Sequence, residues 1–405
     1  MTNVVTDKKK INDFLNSRFI DKIYPSSQEA ATILSSGNKL KFYLGIDPTG
    51  PDIHLGHMTN FFILNDLADL GHEVILLVGD FTALVGDPTD KEATRKVITP
   101  QKVKENMDTY KRQVSKILKE ELDIRYNSDW LNKMELGYFM SEVAREFTVQ
   151  QLILRDMFQK RIKEGKPITV EEFLYPLLQG YDSVAMEIDG EIGGTDQTFN
   201  MLVGRDLLKE RSKNKIVITT PLLEDPETNK KIMNKSEGSY VSLQDSPDNI
   251  FGKVMSMPDS YIMPLLNYAT RLDDADIKNV KIRIDSGENP KILKELAAFE
   301  IVKIIHGEES AKKAGEEFRA LFSEGQIPEK RNEVSLKDIG VEVAGLNSTA
   351  SIVGAGLNMS KSEVKRLIEQ GGVKVNNVVI IDSNEPRKVG DVIRVGPRRF
   401  IEVKE

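Results

Sequence analysis

The stretch 43–57, YLGIDPTGPDIHLGH, constrains the fold of this chain more than any other. An alternating apolar pattern over 40–46 predicts a strand, residues 47–51 form a turn rich in proline and glycine, and a helix begins near Leu55. In an α/β sheet such a turn lies at the carboxyl end of a strand, where ligands bind, and the N–H groups of the next helix favour an anion. The stretch therefore predicts a phosphate-binding turn on a parallel sheet.

Two of the four histidines in the chain, His54 and His57, bracket Gly56 in this stretch. Because glycine has no side chain, a flat ring or a phosphate can approach the backbone between the two imidazoles. An isolated H-x-G-H motif also occurs at ordinary helix starts, where the histidines lie on the surface. Its place at a strand-to-helix turn favours the functional interpretation.

Composition narrows the class of protein. A chain of 405 residues with 40% hydrophobic and 29% charged residues is typical of a globular protein of two or three domains. The apolar runs are strand-sized, and residues 1–14 have neither a signal-peptide core nor an arginine-rich amphipathic pattern, so we expect a cytoplasmic protein without a membrane segment. The absence of cysteine excludes disulfides and thiolate zinc sites, and four scattered histidines do not build a metal cage.

The region after the first turn alternates strand and helix patterns. The run EVILLVG at 73–79 is continuously apolar, which predicts a strand of a parallel sheet buried on both faces. A doubly wound α/β sheet follows from this alternation. The loop after the strand carries Asp87, Lys91 and Arg95. Helical patterns then predict an all-helical insertion over about 99–168.

A second polar constellation lies in FLYPLLQGYDSV, where Tyr175, Gln179 and Asp182 fall at i, i+4 and i+7 and share one face of a predicted helix. The other faces are apolar, which predicts a buried helix whose polar side chains need partners. A core polar network or a polar pocket for a small molecule would provide them. Downstream, GGTDQTFN at 193–200 predicts a tight turn between a strand and a helix.

These motifs together resemble the bacterial-type tyrosyl-tRNA synthetases, a family of class I aminoacyl-tRNA synthetases whose signature HIGH is HLGH here. Tyr43, Asp87, the Y-x3-Q-x2-D triplet and GGTDQ match that family in order and spacing, and the resemblance covers essentially the whole chain. It implies an α/β fold with four parts: a Rossmann-like parallel-sheet catalytic domain at 1–225 with a helical insertion at about 99–168, an ATP-loop and helical domain at 226–322, a linker at 323–345, and a small α+β C-terminal RNA-binding domain of the αL type at 346–405.

The resemblance also implies roles for individual residues. Contacts with the phenolic hydroxyl of substrate tyrosine are implied for Tyr43 and Asp182. Contacts with its ammonium group are implied for Asp87, Tyr175 and Gln179, and a contact on the carboxylate side is implied for Gln197. Adenosine contacts are implied for Gly45, Asp47, Gly56, Gly194 and Asp196, with Asp196 on the ribose. Contacts with the phosphates and the transition state are implied for Thr49, His54 and His57, and mobile-loop contacts with pyrophosphate for Lys91 and Arg95.

A lysine-rich loop, DPETNKKIMNKSEGS, departs from the family pattern. Aligned on the family's KMSKS motif, residues 232–236 read IMNKS, so Lys235 occupies the catalytic and ATP-binding second lysine position while Ile232 replaces the first lysine. Lys231 is the candidate substitute, and a plain charged surface loop is the alternative. The more faithful match NMSKS at 358–362 lacks a sheet context, and there Ser360 and Glu363 predict a capping box.

The C-terminal stretch differs from the rest in charge. Residues 343–405 contain ten Lys/Arg and seven Asp/Glu, a net charge of +3. Because the whole chain has a net charge of −7, the remaining residues carry −10. A basic tail on an acidic body suggests separate roles. The resemblance implies that Lys361, Lys365 and Arg366 contact RNA phosphates, with Arg398 and Arg399 as further candidates, whereas the plain alternative is a solvated helix face.

The family resemblance implies an aminoacyl-tRNA ligase that activates L-tyrosine with ATP and transfers it to the 3′ end of tRNA(Tyr) as a homodimer. ATP would enter with Mg²⁺, and no protein-bound metal or prosthetic group is expected. Tryptophanyl-tRNA synthetase is the rival enzyme, although Asp182 with Tyr43 suits a phenol better than an indole. A catalytically silent RNA-binding or regulatory paralogue is the rival from another class. The missing first lysine gives it some support, whereas the intact ATP and tyrosine positions argue against it.

Overall fold

The computed structural model describes residues 4–89, 98–119, 123–233, 240–322, 332–337, 348–396 and 399–405. The chain divides into two compact units, 1–315 and 316–405. Among the described residues, no helix is long and apolar enough to cross a membrane.

A six-stranded sheet with the order β1-β6-β5-β2-β3-β4 forms the first unit's framework. All neighbouring strands run parallel except β1 and β6, which are antiparallel. Every residue of β5 and β6 is buried, as expected for strands covered by helices on both faces. The strands are β1 (Lys22–Tyr24), β2 (Lys41–Ile46), β3 (Glu73–Val78), β4 (Asp123–Tyr126), β5 (Gly190–Gly194) and β6 (Ile216–Thr220).

Sixteen helices accompany this sheet in the described residues, the last of them crossing the boundary between the units. They are α1 (Lys8–Leu15), α2 (Ser27–Leu34), α3 (Met58–Asp69), α4 (Thr82–Val85), α5 (Pro100–Val114), α6 (Ser128–Leu131), α7 (Leu136–Glu142), α8 (Val149–Ile153), α9 (Asp156–Lys163), α10 (Val170–Ala185), α11 (Thr198–Glu210), α12 (Pro247–Met255), α13 (Ile262–Tyr268), α14 (Asp274–Asp285), α15 (Pro290–His306) and α16 (Glu308–Phe322). Single 3-10 turns lie at Leu55–His57, Ala144–Glu146, Thr195–Gln197 and Asp259–Tyr261.

The predicted parallel α/β fold is confirmed, and so are the strands predicted at 40–46 and 73–79, which are β2 and β3. One strand, β4, interrupts the helices expected over 99–168. It pairs parallel with β3 and extends the sheet at its edge. Its four residues, DIRY, are too few to show a strand period, so the pairing with β3 decides their structure.

The second unit contains two helices and a five-stranded sheet of order β7-β11-β10-β8-β9 in its described residues beyond α16. Its apolar core is formed only by its own residues, among them Ile352, Val364, Val373, Ile393 and Ile401. The elements are β7 (Asn332–Ser335), α17 (Thr349–Leu357), α18 (Lys361–Glu369), β8 (Val373–Val375), β9 (Val378–Val379), β10 (Val392–Val395) and β11 (Arg399–Lys404).

Two boundaries differ from the expected ones. The range 323–345, expected as a linker, contains β7, which pairs parallel with β11. The compact units divide between Gly315 and Glu316, whereas the expected tail domain begins at residue 346. A four-residue strand that pairs with the far end of the chain has no local signature, because its partner lies about 70 residues away in sequence. The predicted cap at Ser360 is confirmed, with Glu363 completing the capping box of α18.

Candidate active site

A cavity of about 400 Å³ opens at the carboxyl edge of the sheet, where β2 lies between β5 and β3. The strand order reverses at β2, and such a crevice is the preferred ligand site of an open α/β sheet. All fifteen small-molecule contacts predicted from the sequence that fall on described residues line it. They are Tyr43, Gly45, Asp47, Thr49, His54, Gly56, His57, Asp87, Tyr175, Gln179, Asp182, Gly194, Asp196, Gln197 and Lys231.

Four predicted residues lie outside the described part of the chain: Lys91, Arg95, Lys235 and Arg398. Their roles remain predictions from the sequence.

The turn between β2 and α3 is held by side chains of α5. Asn106 Nδ2 donates to the carbonyl of Pro48 at 2.8 Å, and Tyr110 Oη donates to the carbonyl of Gly50 at 2.8 Å. Gln113 donates to the carbonyl of Pro51, also at 2.8 Å. A turn rich in proline cannot satisfy these carbonyls by itself, so α5 supplies the donors and fixes the entry to the HLGH segment.

The rings of the two histidines in this segment contact its backbone. His54 Nδ1 accepts from the backbone N–H of Gly56 at 3.2 Å, and His57 Nδ1 accepts from the backbone N–H of His54 at 3.3 Å. The ring centroids are 4.1 Å apart. A nitrogen that accepts carries no hydrogen, so the neutral His54 ring carries its hydrogen on Nε2. His57 Nδ1 also lies 3.1 Å from the carbonyl of His54, so it accepts in one tautomer and donates in the other. Both imidazoles line the cavity, where an N–H donor suits a phosphate.

Asp47, at the end of β2, connects three elements. Tyr175 Oη of α10 donates to Asp47 Oδ2 at 2.9 Å, and Thr82 Oγ1 of α4 donates to Asp47 Oδ1 at 2.8 Å. A Cβ atom at Gly79 would lie 2.1 Å from Asp47 Oδ1, so only glycine leaves room for this carboxylate. Burial, followed by the charges of Asp47 and Asp87, raises the pKa of Tyr175 well above its ordinary value, which keeps its hydroxyl a donor.

Asp182, on the buried face of α10, takes two donors from the segment after β4. Trp130 Nε1 donates to Oδ1 at 2.8 Å, and Asn127 Nδ2 donates to Oδ2 at 3.3 Å. Burial raises the pKa of Asp182 well above its ordinary value, and these two hydrogen bonds oppose that effect. Trp130 therefore packs against the core and also positions a candidate binding carboxylate.

Tyr43 lies fully buried on β2, and its hydroxyl is 3.2 Å from Ser183 Oγ of α10. Burial, with the negative charges of Glu191 and Asp182, raises the pKa of Tyr43 well above its ordinary value. The phenol therefore stays neutral and can donate or accept a hydrogen bond in the cavity.

A chain of amides links α10 to the loop after β3. Gln179 accepts from Asn200 Nδ2 at 2.9 Å, and Asn200 also donates to Gln197 Oε1 at 3.0 Å. Gln197 Nε2 in turn donates to Asp87 Oδ2 at 2.6 Å. Thr89 N–H and Oγ1 donate to Asp87 Oδ1. Three residues predicted to contact the ammonium and carboxylate groups of the substrate, Asp87, Gln179 and Gln197, thus belong to one hydrogen-bonded network. The fourth, Tyr175, donates to Asp47 instead.

The lysine-rich loop starts as a hairpin that brings Lys231 to the cavity. Ile232 N–H donates to the carbonyl of Leu223 at 2.9 Å, while Asn229 takes a positive φ of 54° in the turn. Ile232 is buried, whereas Lys231 Nζ lies 2.7 Å from Asp196 Oδ2. The pairing with residue 223 directs Ile232 inward and its neighbour to the ligand side.

On the second unit, Lys361, Lys365 and Arg366 of α18 are all exposed. Arg399 contacts the start of this helix, since its Nη1 lies 3.4 Å from Met359 Sδ. Four cations therefore lie on or beside one helix.

Sequence reasoning missed several residues of the cavity and its floor, namely Asn60, Thr82, Thr89, Asn127, Glu191 and Lys215. Only two of them carried a signal. Glu191 lies inside β5 and Lys215 directly precedes the apolar start of β6, and a charge in or beside a buried strand needs a partner. No cluster of three or more histidine or acidic side chains suited to a metal ion occurs in the described residues.

Residues 35–323 match the family described as tRNA synthetases class I (W and Y), and residues 352–393 match the S4 domain. The chain belongs to the class I tRNA synthetases of this group. A tyrosine–tRNA ligase of Nitrosomonas europaea is 41% identical over 380 residues, which are 93% of this chain and 92% of the relative. One of Thermotoga maritima is 40% identical over 385 residues, with 93% and 94% covered.

Solved structures of this family share the fold. A truncated mitochondrial tyrosyl-tRNA synthetase of Aspergillus nidulans superposes with a TM-score of 0.64 at 22% identity, covering 78% of this chain and 99% of that one. The enzyme of Archaeoglobus fulgidus, solved with L-tyrosine, gives a TM-score of 0.60 at 21% identity, covering 76% of this chain and all of that one.

The raised pKa of Asp182 predicts a pH-dependent contribution to the stability of this synthetase. The unfolded carboxyl titrates near 3.8, and the folded one titrates higher. Above pH 3.8 only the unfolded state loses the proton, so the free energy of unfolding falls until the pH passes the folded pKa. Urea unfolding should show that the free energy of unfolding of the wild type, minus that of Asp182→Asn, decreases over this pH range. A difference that stays constant from about pH 4 to about pH 7 would contradict the raised pKa.

Proposed function

We propose that this chain activates L-tyrosine with ATP and transfers it to the 3′ end of tRNA(Tyr). The observation that carries the proposal is the pair of buried groups, the Tyr43 hydroxyl and the Asp182 carboxylate, that line one cavity. Relatives named tyrosine–tRNA ligase that match more than nine-tenths of the chain support it.

Tyr43 and Asp182 are proposed to recognise the phenolic hydroxyl. Trp130 and Asn127 leave Asp182 a hydrogen-bond acceptor, while Tyr43 can donate. Phenylalanine would leave the Tyr43 hydroxyl and the Asp182 carboxylate without the hydrogen bonds that the substrate hydroxyl makes, which costs about 1–3 kcal/mol for each bond left unmade in a buried site. A site of this kind rejects the analogue that lacks the hydroxyl by about 10⁴- to 10⁵-fold, and tyrosyl-tRNA synthetase is the established example of that effect.

The amide network and Tyr175 are together proposed to hold the amino-acid end of the substrate, with Asp87, Tyr175 and Gln179 at the ammonium group and Gln197 at the carboxylate side. A carboxylate oxygen of tyrosine then attacks the α-phosphorus of ATP. The bond between the α-phosphorus and the oxygen that bridges it to the β-phosphate breaks, and pyrophosphate leaves. The nucleophile is already ionised and requires no general base. Positioning and charge neutralisation therefore account for catalysis.

The nucleotide is proposed to occupy the cavity beside the HLGH segment. Gly45, Gly56 and Gly194 leave room for adenosine, Asp47 and Asp196 accept from it, and Thr49, His54 and His57 donate to the phosphates. ATP enters with Mg²⁺, which phosphate oxygens and water hold. The tRNA 3′ hydroxyl then attacks the tyrosyl carbonyl, and AMP leaves.

A second copy of the chain is proposed as partner. Seven of the thirteen large apolar side chains that are exposed in the described residues lie within 136–170, and such surface is typical of interfaces. They are Leu136, Tyr138, Met140, Val149, Leu154, Ile162 and Val170. Sedimentation equilibrium should give the mass of two chains.

We also propose a cytoplasmic location, where bacterial tRNA is charged.

The proposed function predicts tyrosine-dependent exchange of pyrophosphate into ATP by the purified protein. Exchange with phenylalanine or tryptophan should be negligible. Asp182→Ala removes the acceptor for the phenolic hydroxyl and should abolish most of the activity, while Asp129→Ala, an exposed carboxylate nearby, serves as the control. Equal exchange with tryptophan would refute the assignment to tyrosine.

Lys231 is proposed to supply the charge that Ile232 lacks. A cation that meets pyrophosphate only as charge develops stabilises the transition state more than the bound substrates. Lys235→Ala should therefore lower the single-turnover rate of adenylate formation about 10- to 1000-fold with little change in tyrosine binding. Lys231→Ala should show a smaller loss of the same kind, and Lys230→Ala provides the exposed neighbour as control. A normal rate for Lys231→Ala would exclude this role.

The S4 domain is proposed to bind tRNA through Lys361, Lys365 and Arg366. Replacing all three by alanine should leave pyrophosphate exchange unchanged, because none of them lines the cavity. Aminoacylation should fall, and the slope of tRNA affinity against salt should flatten by about 0.7–0.9 for each lost phosphate contact. Lys337→Ala, which removes an exposed lysine elsewhere in the same unit, is the control. Unchanged salt dependence in the triple variant would contradict RNA binding by this helix.

A further inference from the structure

Lys215, the residue just before β6, is completely buried beneath the cavity. Its Nζ donates to Ser183 Oγ at 2.7 Å, to the carbonyl of Met201 at 3.0 Å and to the carboxylate of Glu191. Three acceptors match the three N–H groups of a protonated amine. Burial lowers the pKa of Lys215, whereas the adjacent Glu191 carboxylate opposes that effect. An ion pair thus lies below the substrate cavity.

One branch from this pair runs through Glu191, which lines the cavity and leaves 2% of its surface exposed. Its second oxygen accepts from Gln179 Nε2 at 3.2 Å. Because a carboxylate only accepts, the Gln179 amide must turn its nitrogen to Glu191 and its oxygen to Asn200. Asn200 then donates to Gln197, whose nitrogen faces Asp87. The ion pair therefore sets the orientation of the Gln179 amide at one end of the network, and the Asp87 carboxylate sets that of Gln197 at the other.

The other branch runs through Ser183. An ammonium group only donates, so Ser183 Oγ accepts from Lys215 and keeps its own hydrogen for Tyr43 Oη, 3.2 Å away. A hydroxyl that accepts from a cation is also a stronger donor. With Ser183 donating to its oxygen, Tyr43 directs its own hydrogen to the wall of the cavity, where the Glu191 carboxylate is an acceptor beside it.

The packing of α11 on α10 leaves space for this arrangement. A Cβ atom at Gly204 would lie 2.6 Å from Ser183 Oγ and 2.7 Å from Lys215 Nζ. A side chain at position 204 would disrupt the contact between Ser183 and Lys215. The arrangement therefore requires glycine at this position.

We propose that Lys215 is a positioning residue for the recognition of the tyrosine hydroxyl. Through Ser183 it makes Tyr43 the donor to the phenolic oxygen, while Asp182 accepts the phenolic hydrogen. One donor and one acceptor match a neutral phenol and not a bare ring. The proposal rests on the proposed function, and it adds residues that do not themselves contact the substrate.

Ser183→Ala removes the hydroxyl that connects Lys215 to Tyr43 and leaves the ion pair of Lys215 with Glu191 intact. The variant should lose roughly 3- to 10-fold in kcat/KM for tyrosine in pyrophosphate exchange, the range for one neutral hydrogen bond. Its kcat/KM for phenylalanine and its KM for ATP should stay unchanged, because phenylalanine has no hydroxyl to recognise. Thr270→Val, which removes another fully buried hydroxyl, is the matched control and should leave the tyrosine-to-phenylalanine ratio intact.

A paired replacement separates positioning from stability. Lys215→Met leaves Glu191 buried without its cation and should lower the melting temperature strongly. Adding Glu191→Gln removes the unpaired charge and retains an oxygen for Gln179, so the double variant should recover most of that stability. The double variant should still discriminate poorly against phenylalanine, because Ser183 lacks its donor.

The outcomes are distinguishable. Wild-type protein without tyrosine-dependent exchange would overturn the proposed function and this inference together. Active wild type with an unchanged tyrosine-to-phenylalanine ratio in Ser183→Ala would overturn the inference alone, as would equal losses for both amino acids. Recovery of the full ratio in the Lys215→Met/Glu191→Gln variant would also overturn it, since that result assigns Lys215 a structural role only.

Discussion

Three neighbouring parallel strands, β5, β2 and β3, end at the same edge of one sheet, and the site depends on this shared edge. Parallel pairing brings together the segments that follow each strand, although they are far apart in the sequence. The turn after β2, the loop after β3 and the turn after β5 therefore contribute to one cavity. Every residue of β5 and β6 is buried.

Burial imposes a second requirement, because every polar group at the floor needs a partner. Asp182 meets it with donors from Trp130 and Asn127, and Glu191 meets it with Lys215 and Gln179. These partners hold the side chains in fixed positions before a ligand arrives. A site that is already ordered does not lose side-chain entropy on binding, and its hydrogen bonds can discriminate between similar ligands.

Much of the fold and the site could be predicted from the sequence. Continuous and alternating apolar runs predicted β3 and β2, and helical spacing placed Tyr175, Gln179 and Asp182 on one face of α10. The resemblance to tyrosyl-tRNA synthetases is confirmed by family membership and by relatives that match more than nine-tenths of the chain. The short strands β4 and β7 were missed because each has four residues and depends on pairing with a distant segment.

The sequence by itself determined the alternating α/β pattern, the strand-to-helix turn with its HLGH segment and the residue types of the pocket, since these follow from local periodicity and from motifs. Only the tertiary structure decided which polar groups meet. Trp130 contacts Asp182 across 52 positions, and Lys215 contacts Ser183 across 32. Hydrogen-bond partners depend on distances of about 3 Å between groups remote in sequence, and no local pattern encodes them. Lys231 and Ile232 likewise differ by one position, yet the hairpin pairing buries the apolar side chain and brings the charged one to the cavity.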